Sequence, residues 1–365
     1  MTADRPTRPL LATLATSVLA LALGAGCGDD GSSSTSGAGG EGSGDCTATL
    51  STVTNTEYCA ATAAPVNCDL VSGEYKNQAC GVALKQPPGE LSRSTDVEEF
   101  GGSGAPDVSC FAPAGYPTAG ASESVTLRGF VRIFSNGCES NDVEVEVYTV
   151  QPDGQLGTVI GSTTTASSCV EIGDLTDVED CDQRWECPYE IEGVPSETEL
   201  VVRTSGERWQ PLVAYNLYIG SDQIVDGAHE HHPRALATDD YGVIAQAAIG
   251  QPITTGHGAI AGEVHDCGDV RLTNAVADVD VQKRALTYFT SDEDNPLPDL
   301  GAFGTSKLGL YGAIDVVPGP ATVAAAGLVN GQLVSLGRHR VYVYPDTVTS
   351  LTFRGLRPTQ VPAGQ

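Results

Sequence analysis

The most concentrated group of chemically capable side chains in this chain of 365 residues is the segment HEHH, at residues 229–232. Successive side chains of a β-strand point to opposite faces, so His229 and His231 could share one metal ion, with His257 or His265 adding a ligand. The chain has no HExxH motif, which carries the zinc of many peptidases on one helix face. A metal-dependent hydrolase is therefore an alternative function, and a solvated linker is the simpler interpretation of the segment.

Two acidic segments, at residues 174–182 and 291–295, each offer several carboxylates, with Asp292 and Asp294 in the second. Ca²⁺ is a hard cation that takes six to eight oxygen ligands. Neither segment has the spacing of an EF-hand loop, and exposed acidic loops are common in a chain this acidic. We expect no bound cofactor, with calcium in these loops as the alternative.

Both tryptophans, Trp185 and Trp209, lie close to polar or cysteine-bearing sequence. An exposed tryptophan can stack on a sugar ring, and Tyr215 and Tyr218 could extend such an aromatic surface. A polysaccharide-binding module is therefore a second alternative function. Packing of Trp185 against a neighbouring disulfide, as part of a core, is the simpler interpretation.

Nucleophilic catalysis has no local signature in this chain. The sequence contains neither a GxSxG elbow nor a GxxxxGK[ST] phosphate-binding loop. Serine, aspartate and histidine occur without a recognisable spacing. We therefore expect a protein that is not an enzyme.

The beginning of the chain is typical of export. A start with Arg5 and Arg8 precedes an apolar run, Leu10–Leu23, that is too short to span a membrane as a helix. Cys27 follows, and then a polar Gly/Ser-rich stretch to residue 45 that we expect to be disordered. The segment resembles a bacterial lipoprotein signal, which implies a lipid on Cys27 and an outer-membrane lipoprotein, periplasmic or surface-exposed. A secreted protein cleaved nearby is the alternative.

The cysteine count agrees with an oxidising compartment. Eleven cysteines leave ten once Cys27 is set aside, enough for five disulfides. Sequence does not fix the pairing, and short separations favour three pairs: Cys181–Cys187, Cys46–Cys59 and Cys68–Cys80.

The charge of the chain excludes one class of partner. After the two arginines and one acid that precede Cys27 are removed, 17 basic and 46 acidic residues remain, a formal charge of −29. Such a surface repels nucleic acids and anionic lipids. We therefore expect membrane attachment through the lipid anchor alone, with a protein or glycan partner at the cell envelope.

A two-fold repeat organises the rest of the chain. VTLRGFVRIF at residues 125–134 corresponds to AIAGEVHDC at 259–267, with Gly129 matching Gly262. The strands VEVEVYTV and VADVDV follow 14 residues after these glycines, and YEIEGVP later corresponds to YGAIDVVP. Alternating Val-rich runs between Gly, Pro, Asn and Asp turns predict antiparallel β-sandwiches.

The order of these landmarks, with the closing VTSLTF, resembles the carboxypeptidase regulatory-like family over residues 124–220 and 258–354. That resemblance implies a transthyretin-like fold of about seven strands per copy and no catalytic residues. We thus expect an all-β protein made of two tandem antiparallel Greek-key β-sandwiches.

A short helix between the copies completes the expected architecture. Thr238 as N-cap, acidic residues after it and Gly250 at the end predict a helix at about 239–249. The predicted division is a signal peptide at 1–26, a tether at 27–45, a Cys-rich segment at 46–123, a first sandwich with an insertion at 124–225, a linker with the helix at 226–257, a second sandwich at 258–356 and a tail at 357–365.

The function expected from the sequence is a non-catalytic structural or adhesive scaffold at the cell envelope. The motifs above supply a stable extracytoplasmic fold without a recognisable catalytic constellation.

Mass spectrometry of the mature N-terminus tests the export prediction. We expect a chain that begins at Cys27 and carries a diacylglyceryl group. An unmodified N-terminus produced by cleavage near this position would instead indicate an ordinary secreted protein.

Overall fold

The computed structural model describes residues 84–134, 139–172, 184–293 and 296–361, together with the backbone of three short strands nearer the N-terminus. The strands, in chain order, are β1 Thr47–Thr49, β2 Leu70–Val71, β3 Glu74–Lys76, β4 Ser92–Arg93, β5 Ser124–Phe134, β6 Glu144–Val150, β7 Leu156–Thr164, β8 Val170–Ile172, β9 Arg184–Pro195, β10 Glu199–Ser205, β11 Trp209–Gln210, β12 Leu212–Tyr218, β13 Ala228–Glu230, β14 Arg234–Ala237, β15 Gly258–His265, β16 Leu272–Thr273, β17 Val276–Val279, β18 Ala285–Phe289, β19 Pro298–Asp299, β20 Leu310–Val316, β21 Gly319–Val329, β22 Gln332–Val343, β23 Val348–Leu351 and β24 Phe353–Arg354. The α-helix of the described residues, α1, spans Thr238–Ile249.

These strands confirm the all-β sandwich prediction. The two copies also share a pattern of strand pairing. In the first copy β5 pairs antiparallel with β9 and parallel with β13 and β14; in the second, β15 pairs antiparallel with β20 and parallel with β23 and β24. The facing sheets, β6-β10-β12 and β17-β21-β22, correspond in the same way. The parallel pairs depart from the purely antiparallel arrangement that we expected.

The landmark glycines of the repeat lie where a neighbouring strand is interrupted. A Cβ at Gly129 would lie 2.1 Å from the carbonyl oxygen of His231, between β13 and β14. A Cβ at Gly262 would lie 1.8 Å from the carbonyl oxygen of Leu351, the last residue of β23 before the break that precedes β24. No side chain fits at either distance, so each glycine is needed for the close approach of the two backbones.

A tyrosine satisfies each of these carbonyl groups. Tyr189, paired with Gly129, donates its hydroxyl to the His231 carbonyl at 3.0 Å, and Tyr311, paired with Gly262, donates to the Leu351 carbonyl at 2.7 Å. Both tyrosines are buried. The Gly and Tyr landmarks of the repeat therefore form one structural unit, which we call the Gly–Tyr clasp (Gly129–Tyr189 and Gly262–Tyr311).

The two copies are joined edge to edge. Strand β12 of the first copy pairs parallel with β23 of the second, from Leu212↔Val348 to Tyr215↔Leu351. One sheet thus runs in the order β19-β18-β20-β15-β23-β12-β10-β6-β7, and β24 pairs with β15 beside it. The two sandwiches therefore share a sheet at this seam, an arrangement that the sequence repeat did not predict.

The hydrophobic cores follow the shared sheet. Val201, Val213 and Tyr215 of the first copy belong to the core of the second copy, whereas Leu200 and Val202 face the core of the first. Both faces of β10 are therefore buried. The uninterrupted apolar run Leu200–Val202 is the sequence pattern expected of a strand covered on both sides.

Helix α1 confirms the predicted helix and corrects its start. Thr238 is the first helical residue rather than the N-cap; Ala237 takes that position and makes no side-chain cap hydrogen bond. Gly250 ends the helix in the left-handed conformation, at φ 69°. The helix packs its apolar face against Ala259 and Ile314 of the shared sheet.

The described part of the Cys-rich segment, from residue 84 onward, packs into the core of the second copy. Strand β4 pairs with β16, and Leu91 enters the core of the second copy. A disulfide joins Cys110 to Cys267 with a Cα–Cα distance of 5.8 Å. The two cysteines are 157 residues apart in the sequence, and a prediction based on short spacings does not pair cysteines that far apart.

Replacing Gly262 tests the Gly–Tyr clasp. Gly262→Ala should lower the free energy of unfolding by about 1–3 kcal/mol, because the added Cβ overlaps a backbone carbonyl that cannot move freely. Urea denaturation followed by circular dichroism measures the change.

The matched control is Gly242→Ala on α1, where a Cβ meets nothing within 4 Å. That variant should be stabilised by roughly 0.5–1 kcal/mol, since alanine loses less entropy than glycine in a helix. Equal stability of Gly262→Ala and the unmodified protein would contradict the clasp.

Candidate functional site

A cavity of about 390 Å³ lies between the first copy, helix α1 and the shared sheet. Its volume falls in the range of about 300–1,000 Å³ that is usual for small-molecule sites. Residues of both copies line it. We call it the inter-copy cavity.

The floor is formed by three adjacent parallel strands, β12, β23 and β15. Ala214, Ser350 and Ala261 lie at the same level on these strands and form a row of small side chains across the sheet. All three line the cavity and are only partly buried, although their strands are central in the sheet. The cavity exists because this row is too small to fill the space beneath the roof.

The floor changes character along the strand direction. Its lining side chains are apolar at the beginning of the strands: Leu212, Val348 and Ala259. Beyond the row of small residues they become polar or charged, and these are Asn216, Tyr218, Thr352, Arg354 and Glu263.

The roof has the same gradient. Phe134 of β5 pairs with Leu236 of β14, and two residues earlier Arg132 pairs with Arg234. Leu236 and Phe134 share an apolar cluster with Leu212 and Val348 of the floor, and Tyr241 and Ile244 of α1 complete it. The apolar ends of floor and roof therefore face each other, and the cavity is amphipathic.

Three of the four acidic groups in the lining are engaged by a basic group, whereas the fourth, Glu230, is exposed and forms no ion pair among the described residues. Glu99 forms ion pairs with both Arg132 and Arg234. Glu263 accepts hydrogen bonds from Arg271 at 2.9 Å and from His265 at 2.8 Å. Burial on its own would raise the pKa of Glu263, but His265 and Arg271 together hold that pKa well below its ordinary value.

A second carboxylate continues this network. Asp269 accepts a hydrogen bond from His265 at 2.7 Å and one from Arg354 at 2.8 Å. Phe100 lies against the same group, with the Arg354 guanidinium 4.6 Å from its ring centroid. The polar end is therefore held by charges that compensate one another.

Arg357 differs from the other arginines of the cavity. Among the described residues it forms no ion pair, and its buried Nε atom has no hydrogen-bond partner. Burial, and then the nearby charge of Arg354, lower the pKa of Arg357, while Asp269 and Asp222 act on it only from a distance. Arg357 is therefore the arginine of the lining that has no ion-pair partner among the described residues. The predicted tail at 357–365 thus begins with a residue of this site.

Three further buried polar atoms of lining residues have no hydrogen-bond partner among the described residues: Nε of Arg132, Nε2 of His231 and the hydroxyl of Tyr241. Buried polar atoms without partners are uncommon in proteins. These three atoms have almost no accessible surface, so they lie behind the cavity wall rather than open to the cavity.

The HEHH segment lines this cavity, so its interpretation as a solvated linker is wrong. His232 accepts a hydrogen bond from the Phe130 amide through Nδ1, at 3.1 Å, and His229 Nδ1 lies 3.3 Å from the Gln223 carbonyl oxygen. Burial lowers the pKa of His231 to about 3. His231 is therefore a neutral imidazole at physiological pH.

The proposed third metal ligands do not join His229 and His231. His257 faces Asp315 at 2.9 Å, and His265 lies between Glu263 and Asp269. Within the described ranges, the group of three ligand atoms close enough for one ion is Glu139, Cys169 and Cys187. The two sulfurs of that group form a disulfide and are therefore not thiolate ligands. Asp292 lies in an exposed loop, and Asp294 is outside the described residues.

The predicted pairing Cys181–Cys187 is wrong, because Cys187 is bonded to Cys169 with a Cα–Cα distance of 4.0 Å. β8, which follows Cys169, pairs with β9, which contains Cys187, and this pairing brings the two cysteines together. The pairs Cys46–Cys59 and Cys68–Cys80 lie outside the described residues.

The candidate aromatic residues do not form a sugar-binding surface. Trp209, Tyr215 and Tyr218 are buried, and Trp209 donates its indole N–H to the Asn141 carbonyl at 3.1 Å. Trp185 is 36% exposed. Stacking on a polysaccharide needs several exposed rings on one face, which these four residues do not supply.

Comparison with known proteins gives no family. No family model and no curated protein matches the chain. A shaft pilin, SpaA, from Lactobacillus rhamnosus GG matches at 11% identity over 64% of this chain and 100% of its own, with a TM-score of 0.19. A leucine-rich repeat protein from Bacteroides thetaiotaomicron matches at 8% identity over 62% of this chain and 25% of its own, with a TM-score of 0.17. Such TM-scores do not indicate a shared fold, and the carboxypeptidase regulatory-like resemblance stays a prediction.

In the described part of the chain, no helix has the length and apolar character that crossing a membrane requires.

The burial of the His231 imidazole predicts how the free energy of unfolding changes at acidic pH. Its pKa is about 3 in the folded protein and near 6.5 when exposed, so the unfolded chain binds one more proton between these values. This contribution to stability is complete above pH 6.5 and falls by about 1.4 kcal/mol for each pH unit below it.

His231→Gln should remove that dependence, so the free energy of unfolding should fall less steeply between pH 6 and pH 4 than in the unmodified protein. Urea denaturation at several pH values measures the slope. His339→Gln should also make the fall in the free energy of unfolding less steep, because burial lowers the pKa of His339 to about 3 as well. An unchanged slope in His231→Gln would show that this imidazole is not buried in its neutral form.

Proposed function

We propose that this protein is a ligand-binding lipoprotein of the cell envelope, in which two β-sandwiches form a rigid, non-catalytic frame around the inter-copy cavity. The lipid on Cys27 and the polar stretch to residue 45 would hold the folded part at an outer membrane. The support for this localisation is the sequence of the first 45 residues.

The observation that carries the binding function is the amphipathic cavity that a row of small side chains keeps open. A scaffold without a ligand would gain stability from filling this space, since empty volume forfeits packing energy. Instead the row Ala214–Ser350–Ala261 keeps the space open between well-packed strands.

A structural or adhesive role is compatible with the same frame. The ten-stranded shared sheet and the Cys110–Cys267 disulfide link the copies and the N-terminal segment. Such a frame resists relative movement of its two halves. We regard this rigidity as the means by which the cavity keeps its shape.

A thermal-shift experiment with decanol, decanoate and decylamine tests the binding function. At least one of these probes should raise the melting temperature of the purified protein, because a ligand that binds only the folded state stabilises it by mass action. At 100 times its dissociation constant the probe should add about 2.7 kcal/mol.

Ala261→Leu fills the cavity and should abolish the shift. Ala247→Leu, at an exposed position of α1 outside the lining, is the matched control and should retain it. If no probe stabilises the unmodified protein, or if Ala261→Leu responds as well as Ala247→Leu, the cavity is not a binding site.

A further inference from the structure

The charges and the gradient of the inter-copy cavity also indicate which class of ligand it accepts. This inference rests on the proposed binding function. Its evidence comes from Arg357, from the polar network around it and from the register of the strands that form the floor.

The cavity lining changes from apolar to polar in one direction. The three floor strands run parallel, so their lining residues pass from apolar to polar in the same order: Ala259–Ala261–Glu263, Val348–Ser350–Thr352–Arg354 and Leu212–Ala214–Asn216. The roof strands β5 and β14 also run parallel to each other and place their arginines two residues before Phe134 and Leu236. A ligand that satisfies both ends must be apolar at one end and polar at the other.

The charged side chains of the lining differ in whether they have an ion-pair partner. Three of the four carboxylates of the lining, Glu99, Glu263 and Asp269, hold basic partners, and the fourth, Glu230, is exposed. Among the described residues Arg357 has no ion pair, and it lies close enough to Arg354 for the two positive charges to oppose each other. An acidic group between them would relieve this repulsion and would accept hydrogen bonds from two guanidinium groups.

The volume of the cavity limits the size of a ligand. A cavity of about 150 Å³ accepts benzene, and the volume here, about 390 Å³, is more than twice as large. The apolar cluster of Leu212, Leu236, Val348, Phe134 and Ile244 offers a surface without charge for an extended or ring-shaped hydrocarbon. A body of about ten carbon atoms fits this comparison.

We propose that the inter-copy cavity binds an amphipathic anion, with its single acidic group at Arg357 and Arg354 and its hydrocarbon body against the row Ala214–Ser350–Ala261 and the apolar roof.

Isothermal titration of the purified chain with four probes tests this proposal. Decanoate and decyl phosphate carry the acidic group, decanol is neutral, and decylamine is cationic. We expect the two acidic probes to bind at least 10-fold more tightly than decanol and decylamine. The tighter of the two acidic probes identifies the head group as carboxylate or phosphate. Shortening decanoate to octanoate should weaken binding by roughly fourfold for each methylene removed.

Variants of the arginine separate the head group from the body. Arg357→Met should weaken decanoate binding by about 10- to 100-fold and leave decanol binding unchanged, because a hydrogen-bonded charge pair is lost while the apolar contacts remain. Arg357→Lys should recover part of the affinity. Arg340→Met removes an exposed arginine outside the cavity lining and should not alter binding.

Two results would overturn the proposal while leaving the binding function intact. They are decanol or decylamine binding as tightly as decanoate, and Arg357→Met retaining full affinity for decanoate. Retained decanol binding shows that the Arg357 variant is folded, so its loss of decanoate affinity reports on the head group. Failure of all four probes would instead count against the binding function itself.

Discussion

The parallel pairing of β12 with β23 is the interaction on which the rest of the structure depends. It joins the facing sheet of the first copy to the other sheet of the second copy, so that the two sandwiches share one continuous sheet. It also fixes the register at which Ala214, Ser350 and Ala261 meet. Without this seam the floor of the cavity would be divided between two independently moving units.

Duplication explains why the seam and the cavity occur together. In each copy a glycine lies opposite the break in a parallel strand. A buried tyrosine donates a hydrogen bond to the backbone carbonyl at that break. In the first copy the interruption contains His231 and His232, and in the second it contains Thr352 and is followed by Arg354; all four residues line the cavity. The same structural element thus supplies the roof of the polar end from one copy and the floor from the other. The glycines and tyrosines that mark the repeat therefore have a structural reason for being where they are.

Sequence reasoning predicted the strands well because their signal is local. Alternating segments such as residues 143–150 and the turn residues around them determine where strands begin and end. The pairing of β12 with β23 has no local signal, since 136 residues separate Leu212 from Val348. Its indirect sign was the run Leu200–Val202, whose lack of polar alternation requires burial of both faces of β10.

The site was harder to predict than the fold. The HEHH segment drew attention because of its side-chain chemistry, and the structure gives it a position in the cavity wall rather than a metal centre. Arg357 lies in a segment that resembled a tail, and nothing in its neighbourhood distinguishes it from other surface arginines. The small residues Ala214, Ser350 and Ala261 carry no chemical signature at all, because their contribution is the volume they leave open. Such a contribution depends on contacts between residues far apart in the chain.

The most direct measurement of this arrangement is a crystal structure of the protein with decanoate. We expect the carboxylate within hydrogen-bond distance of Arg357 and the hydrocarbon body over Ala261 and Ser350, beneath Leu236 and Ile244. Decanoate bound with its carboxylate toward the apolar end, or outside the cavity, or a cavity filled by rearranged side chains of the protein, would contradict it.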